Sequence, residues 1–301
     1  MAKQKVFRCL CFVFLCLIHV ASQAKEITLP HNGVTLNAAL DLAADKKLKD
    51  GIVLITHGAL AHRDMEMLVY LRKLLNEMGQ STLAINLSLG VNNRHGMYDC
   101  KVAHRHHNED AIREINFWVQ WLGKQGVKDI TLLGHSRGGA QTALYAARHN
   151  VELIKSIVLM APATRDNTNA TAYETRYKQP FTPVFEKATR LVATGKGNTI
   201  LDNINLMTCR DTPVMASTFL SYYGRESQVD GPSYLKHIQK PVLVIVGGKD
   251  NVVVGLEKKI LPLVDGNRIK MKVIPGSGHM FRDLNTDDAV DAIVDFLGGI
   301  K

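Results

Sequence analysis

The sequence predicts an α/β fold: a mostly parallel, doubly wound sheet interrupted by one inserted segment. Three observations carry this expectation. Short, unbroken apolar runs recur along the chain, as expected of strands buried on both faces. Most are followed by a longer stretch with apolar residues at helical spacing, the rhythm of parallel strands joined by crossover helices. That rhythm stops at about residue 161 and resumes at about residue 240.

The elements can be read in chain order. Val34 to Leu42 alternates enough for an early, half-exposed strand. Gly51 to Thr56 is a continuous apolar run ending at His57-Gly58. From Met65 to Met78, residues Met67, Tyr70, Leu71, Leu74 and Leu75 recur at helical spacing, and Gly79 supplies the stop. Thr82 to Ile85 reads as a strand, and Ala111 to Leu122 as a helix with Ile112, Ile115, Val119 and Leu122 on one face. Ile130 to Leu133 is a strand running straight into Gly134, Gly139 to Arg148 a helix, and Ile154 to Met160 another strand. Val242 to Val246 and Met271 to Ile274 complete the strands, and a helix over Asp287 to Leu297 closes the chain.

The segment 161–240 is polar and aromatic, with Tyr173, Tyr177, Phe181, Phe185, Tyr222 and Tyr223 and no clear buried strand. It is expected to be a mainly helical cap or lid over the carboxyl ends of the strands, where open α/β sheets bind ligands. The alternative is an excursion that only covers the sheet edge. The first 24 residues stand apart. Lys3, Lys5 and Arg8 precede an apolar run from Cys9 to Val20, and Ala21-Ser22-Gln23-Ala24 offers small residues for cleavage. This is the pattern of a secretory signal peptide over 1–24, which predicts export to a periplasmic or extracellular destination and leaves one α/β domain over 25–301. The apolar run is shorter than the ~20 residues of a spanning helix.

Composition excludes other classes. With 46% hydrophobic and 22% charged residues, the chain is neither disordered nor collagen-like. Loss of Lys3, Lys5 and Arg8 with the leader takes the formal net charge from +9 to +6, and the remaining cations form no stripe that argues for nucleic acid. The leader also removes Cys9, Cys11 and Cys16. Cys100 and Cys209 remain, either bridged in an oxidising compartment or as two separate buried thiols.

Chemistry concentrates at Gly134-His135-Ser136-Arg137-Gly138, a G-x-S-x-G pattern between a buried strand and an Ala-rich helix. A serine in so sharp a turn needs neighbours without Cβ atoms where backbones come close. The turn lifts the hydroxyl out of the sheet and sets the following N–H at a helix N-terminus. A serine needs a base, and the base an orienting group. Asp250 follows Gly247-Gly248-Lys249 after one strand, and His279 follows Gly276-Ser277-Gly278 after the next. Asp166, just beyond the strand ending at Met160, is the competing acid.

Together these three motifs resemble the α/β-hydrolase superfamily, and among its members the monoacylglycerol lipase and lysophospholipase-like serine esterases; the likeness runs from about residue 34 to the end and is weakest over 161–240. The resemblance implies Ser136 as nucleophile, His279 as proton shuttle and Asp250 as its orienting acid. It also implies an oxyanion hole from the backbone N–H groups of Arg137 and Ala59, with His57 and Gly58 shaping the second loop and Gly134 and Gly138 supporting the first. The expected activity is hydrolysis of a carboxylic ester with an acyl part, with transient contact with a membrane or lipid surface. A peptidase, thioesterase or amidase on the same three residues, or a binding protein that retains the fold, stays open.

No Walker loop or dinucleotide fingerprint occurs, so no cofactor is expected. His104, His106 and His107 cluster without metal-ligand spacing and read as a solvated loop rather than a metal site. Arg94 and Arg105 are candidates for meeting an anionic substrate group.

Overall fold

The computed structural model describes residues 24–224 and 230–300. All but the last residue of the expected leader lies outside the described residues. The chain runs β1 (Lys25–His31), β2 (Val34–Asp41), β3 (Ile52–Thr56), α1 (Glu66–Glu77), β4 (Thr82–Asn86), α2 (Asn108–Lys124), β5 (Ile130–His135), α3 (Arg137–Arg148) and β6 (Ile154–Met160). Then come α4 (Ala170–Tyr177), α5 (Thr182–Ala193), β7 (Ile200–Leu206), β8 (Cys209–Met215), α6 (Ala216–Tyr223) and α7 (Gly231–Tyr234). It ends with β9 (Val242–Gly247), α8 (Leu256–Ile260), β10 (Ile269–Ile274) and α9 (Leu284–Gly298).

Eight strands form one sheet in the order β1-β2-β4-β3-β5-β6-β9-β10. β2 pairs antiparallel with β1 and β4, and every other pairing is parallel. The apolar runs lack alternation because both sheet faces are covered. In β3, Ile52 and Leu54 join the core cluster that also holds Ile112, Ile115, Val119 and Leu122 of α2 and Ala143 and Leu144 of α3. Val53 and Ile55 point the other way, toward Met67, Leu68, Leu71 and Leu75 of α1 and Ala289, Val290, Ile293 and Phe296 of α9. A period of two along one strand thus feeds two separate cores. Tyr70 adds a hydrogen bond from its hydroxyl to Asp287 at 3.2 Å where α1 meets α9.

Among the elements that the sequence reading lacks, two bear on the sheet edge and on the inserted segment. β1 is an edge strand whose Ile27 and Leu29 are only half buried. It carries Pro30 and opens on Lys25, features of a protected edge rather than of a core run. The second is the β7–β8 hairpin inside the 161–240 segment, which is therefore not purely helical. Its register shifts twice, Asn203 has a φ of +55°, and Pro213 lies within β8. Those interruptions hide the strand signal. The hairpin is tied to the loop between β4 and α2. Cys100 and Cys209 form a disulfide, Thr212 Oγ1 bonds the Cys100 carbonyl, and the His104 backbone bridges Pro213 and Met215 at 2.9 Å each.

The histidine cluster also departs from expectation. His104 and His106 are fully buried, not solvated. His104 Nδ1 lies 3.0 Å from His106 Nε2, and His106 Nδ1 lies 2.7 Å from the Tyr222 hydroxyl. Burial lowers the pKa of His104 to about 4 and drives that of His106 well down, so both rings are neutral and share single protons. His107 Nε2 meets Ser217 Oγ at 3.2 Å. The three rings link the β4–α2 loop to α6. Among the described residues, no group of three His, Cys, Asp or Glu is arranged to hold a metal ion, and no helix is long and apolar enough to cross a membrane.

Candidate active site

The parallel strands end at one edge of the sheet, and the chemistry-bearing residues leave from there. Ser136 is the turn between β5 and α3, with φ +56° and ψ −124°. That left-handed conformation is costly for a residue with a side chain. It is held by bonds from Ser136 N to the Met160 carbonyl and from Ala163 N to the Ser136 carbonyl, each 2.9 Å. The flanking glycines are required by contact. A Cβ on Gly138 would lie 2.2 Å from the His57 carbonyl oxygen, and one on Gly134 would lie 2.5 Å from the Gly138 carbonyl oxygen. At Gly58 the added atom would come within 3.3 Å of Ser136 Cβ.

Asp250 and His279 arrive from the ends of β9 and β10. His279 Nε2 is 2.9 Å from Ser136 Oγ, and His279 Nδ1 is 2.8 Å from Asp250 Oδ2. The second carboxylate oxygen accepts the Val252 and Val253 N–H groups at 2.7 and 2.9 Å. Burial works to raise the Asp250 pKa. The bonds from His279, Val253 and Val252 outweigh it and hold the carboxyl below its ordinary value. Asp250 is therefore ionised and acceptor-only, so the imidazole proton sits on Nδ1 and the Nε2 lone pair faces the serine hydroxyl. Asp166 does not reach the imidazole; it is exposed and paired with Lys259 at 2.9 Å.

The loops around this line are equally determined. His57 is buried, and burial foremost, with Arg94 nearby, brings its pKa to about 3. Its Nε2 accepts the Leu87 N–H at 3.0 Å, so Nδ1 carries the proton and donates to the Gly58 carbonyl at 2.8 Å. The ring pins the loop from Gly58 to Ala61 and offers no base to the cavity. Arg94 donates to the carbonyls of Leu87 and Ala61 at 2.9 and 2.8 Å, which ties it to this loop rather than to any ligand. Ala59 and Arg137 both line the cavity beside Ser136. As the first residue of α3, Arg137 has a backbone N–H without an intrahelical acceptor.

His135, the variable position of the serine motif, was not singled out by sequence. Its Nε2 lies 2.9 Å from the His279 carbonyl oxygen. Burial, with the neighbouring His279, lowers its pKa to about 4, so it is a neutral donor that braces the His279 backbone.

A cavity of about 520 Å³ opens on Ser136 and His279. Its walls are largely apolar, with Met65, Leu68, Met97, Val253 and Met280 among them. The 161–240 segment contributes Arg176 and Tyr177 of α4, Met207 and Thr208 of the hairpin turn, Arg210 of β8 and Tyr223 of α6. Of the aromatic residues singled out in this segment, Tyr177 and Tyr223 line the cavity. The arginines gave no signal, because nothing in the local sequence says which way they face.

A comparison with curated proteins finds no match. Among solved structures, the chain is similar to Est1E from Butyrivibrio proteoclasticus, with a TM-score of 0.63 and 20% identity over 93% of this chain and 99% of that one. It is similar to a thermostable carboxyl esterase from Bacillus coagulans, with a TM-score of 0.65 and 17% identity over 92% and 99%. An esterase of Pyrococcus furiosus superposes with a TM-score of 0.61 and 16% identity over 92% and 90%. The family model described as the alpha/beta hydrolase fold matches residues 51–285. A strand-turn-helix serine, the strand order and that match over most of the sequence agree, and the chain belongs to the alpha/beta hydrolase fold family.

Proposed function

We propose that the protein is an exported serine hydrolase that cleaves a carboxylic ester with an apolar acyl part, of the monoacylglycerol or lysophospholipid kind, through an acyl-enzyme. The observation that carries this reading is the unbroken hydrogen-bonded line Asp250–His279–Ser136, whose last two members line an apolar cavity. Ser136 Oγ attacks the ester carbonyl carbon while His279 Nε2 takes its proton. The oxyanion that develops is held by the N–H groups of Ala59 and Arg137, each donor contributing about 3 kcal/mol at the transition state. His279 then returns the proton to the departing alcohol oxygen, and water repeats the cycle on the acyl-serine. Asp250 remains ionised and stabilises the imidazolium. Two structural relatives carry esterase names and Est1E has been solved with ferulic acid, which favours esters over amides. The Cys100–Cys209 disulfide supports an oxidising destination, in keeping with the N-terminal pattern.

A fluorophosphonate probe should label Ser136 in the folded protein, and short and long acyl esters should be hydrolysed. Ser136→Ala should lower kcat by on the order of 10⁶-fold. Turnover of aminoacyl amides alone would move the chain to the amidases or peptidases. Failure of the probe to react would indicate a binding protein on the same fold.

A further inference from the structure

The cavity that holds Ser136 is mostly apolar, yet three arginines from three different elements line it. Arg137 projects from α3, Arg176 from α4 and Arg210 from β8. Among the described residues, no Asp or Glu lines this cavity.

Arg137 is the most demanding of the three. Its side chain is 6% exposed and lies 4.5 Å over the Tyr222 ring, with a bond of 3.3 Å to Asn108 Oδ1. Tyr222 is in turn held by the His106–His104 pair. The guanidinium is therefore held by neutral groups, in a residue that lines the cavity. Burial depresses its pKa, the surrounding tyrosines partly offset that, and the Arg176 cation lowers it further. A buried cation is costly unless an anion meets it.

Arg176 and Arg210 stand at the exposed rim and are held by backbone. Arg176 Nη1 donates to the Met207 carbonyl at 3.3 Å, and Arg210 Nη2 donates to the Arg176 carbonyl at 2.8 Å. Arg210 also lies 5.6 Å over the Tyr177 ring. The Glu174 carboxylate accepts the Phe181 N–H at 3.0 Å and does not line the cavity. Three like charges at low-dielectric walls focus a positive field on the cavity, and guanidinium forks match the oxygens of phosphate and carboxylate.

We infer that the ester cleaved at Ser136 carries an anionic group, a phosphate or a carboxylate, which is received by Arg137, Arg176 and Arg210. The inference rests on the hydrolase reading above and names the substrate class of that same site. A neutral ester entering this cavity would strip water from the guanidinium groups without replacing it. An anionic one replaces that water with charge-assisted hydrogen bonds.

Two matched pairs test this with the mature protein. One pair is monohexanoylglycerol phosphate against monohexanoylglycerol, with the charge on the alcohol side. The other is the nitrophenyl half-ester of a medium-chain dicarboxylic acid against the nitrophenyl ester of the equal-length fatty acid, with the charge on the acyl side. In at least one pair kcat/KM should favour the anionic member tenfold or more, mainly through KM, and the preference should shrink as salt rises. The double variant R176Q/R210Q should cut that ratio at least fivefold, and the double lysine variant should retain part of it. Ratios near one in both pairs, or a preference that the double glutamine variant leaves intact, would overturn the inference. Calorimetry with Ser136→Ala reads the same property without turnover. Hexyl glyceryl ether phosphate should bind more tightly than hexyl glyceryl ether. Preferential binding without ester turnover would sink the hydrolase reading alone, whereas turnover with equal binding of the two ethers would sink this inference alone.

Discussion

Replacing Asp250 by asparagine tests the site through its hydrogen-bond arithmetic. In the native arrangement Oδ1 accepts two backbone N–H groups, from Val252 and Val253, and Oδ2 accepts the His279 Nδ1–H. An asparagine must choose. If its amide nitrogen faces the backbone, two N–H groups are left opposite a donor, at a cost of about 1–3 kcal/mol each. If its nitrogen faces the imidazole, both backbone bonds survive. The second orientation is therefore favoured by at least ~2 kcal/mol, roughly thirtyfold. It donates to Nδ1, forces the imidazole proton onto Nε2 and leaves no lone pair for the Ser136 hydroxyl. With the lost stabilisation of the imidazolium added, kcat on a nitrophenyl ester should fall about 10³–10⁴-fold. The assay is steady-state hydrolysis at the wild-type pH plateau, with folded enzyme quantified independently. Asp166→Asn is the matched control and should stay within about twofold, since surface pairs like the one with Lys259 contribute little. An Asp250→Asn enzyme within tenfold of wild type, or an equal loss in Asp166→Asn, would contradict the role given to Asp250.

Two predictions concern stability. The Cys100–Cys209 bridge spans 109 residues and ties the β7–β8 hairpin to the β4–α2 loop, so Cys209→Ser should lower unfolding free energy by about 2–4 kcal/mol in denaturant titrations; equal midpoints for the two proteins would remove the bridge from the account. Glu114 is buried against Ser88, and burial pushes its pKa up to about 7 although the Ser88 bonds oppose it. The folded chain then keeps a proton that the unfolded chain releases near the ordinary carboxylate pKa. Stability should therefore decline as pH rises from about 4.5 to 7, by up to about 3 kcal/mol. Glu114→Gln should flatten that slope in urea titrations at the two pH values, and a slope identical to wild type would contradict the assignment.

Short-range chemistry is legible along the chain. Unbroken runs such as Ile52–Thr56 specify strands covered on both faces, and the periodicity of Met67, Leu71 and Leu75 specifies the helix that covers one of them. Gly134 and Gly138 mark a turn in which no Cβ fits. Ser136, Asp250 and His279 were legible because each lies just past a strand's carboxyl end, and parallel strands deliver those trailing loops to one edge of the sheet. Packing in three dimensions set Asp250 rather than Asp166 against His279, joined Cys100 to Cys209, paired the interrupted strands β7 and β8, and buried His104 and His106. It alone brought Arg137, Arg176 and Arg210 to one cavity. The physical reason is common to all of these. Each depends on the distance and orientation between segments far apart in the chain, which are set by how helices and hairpins pack, and no local pattern of residues carries that information.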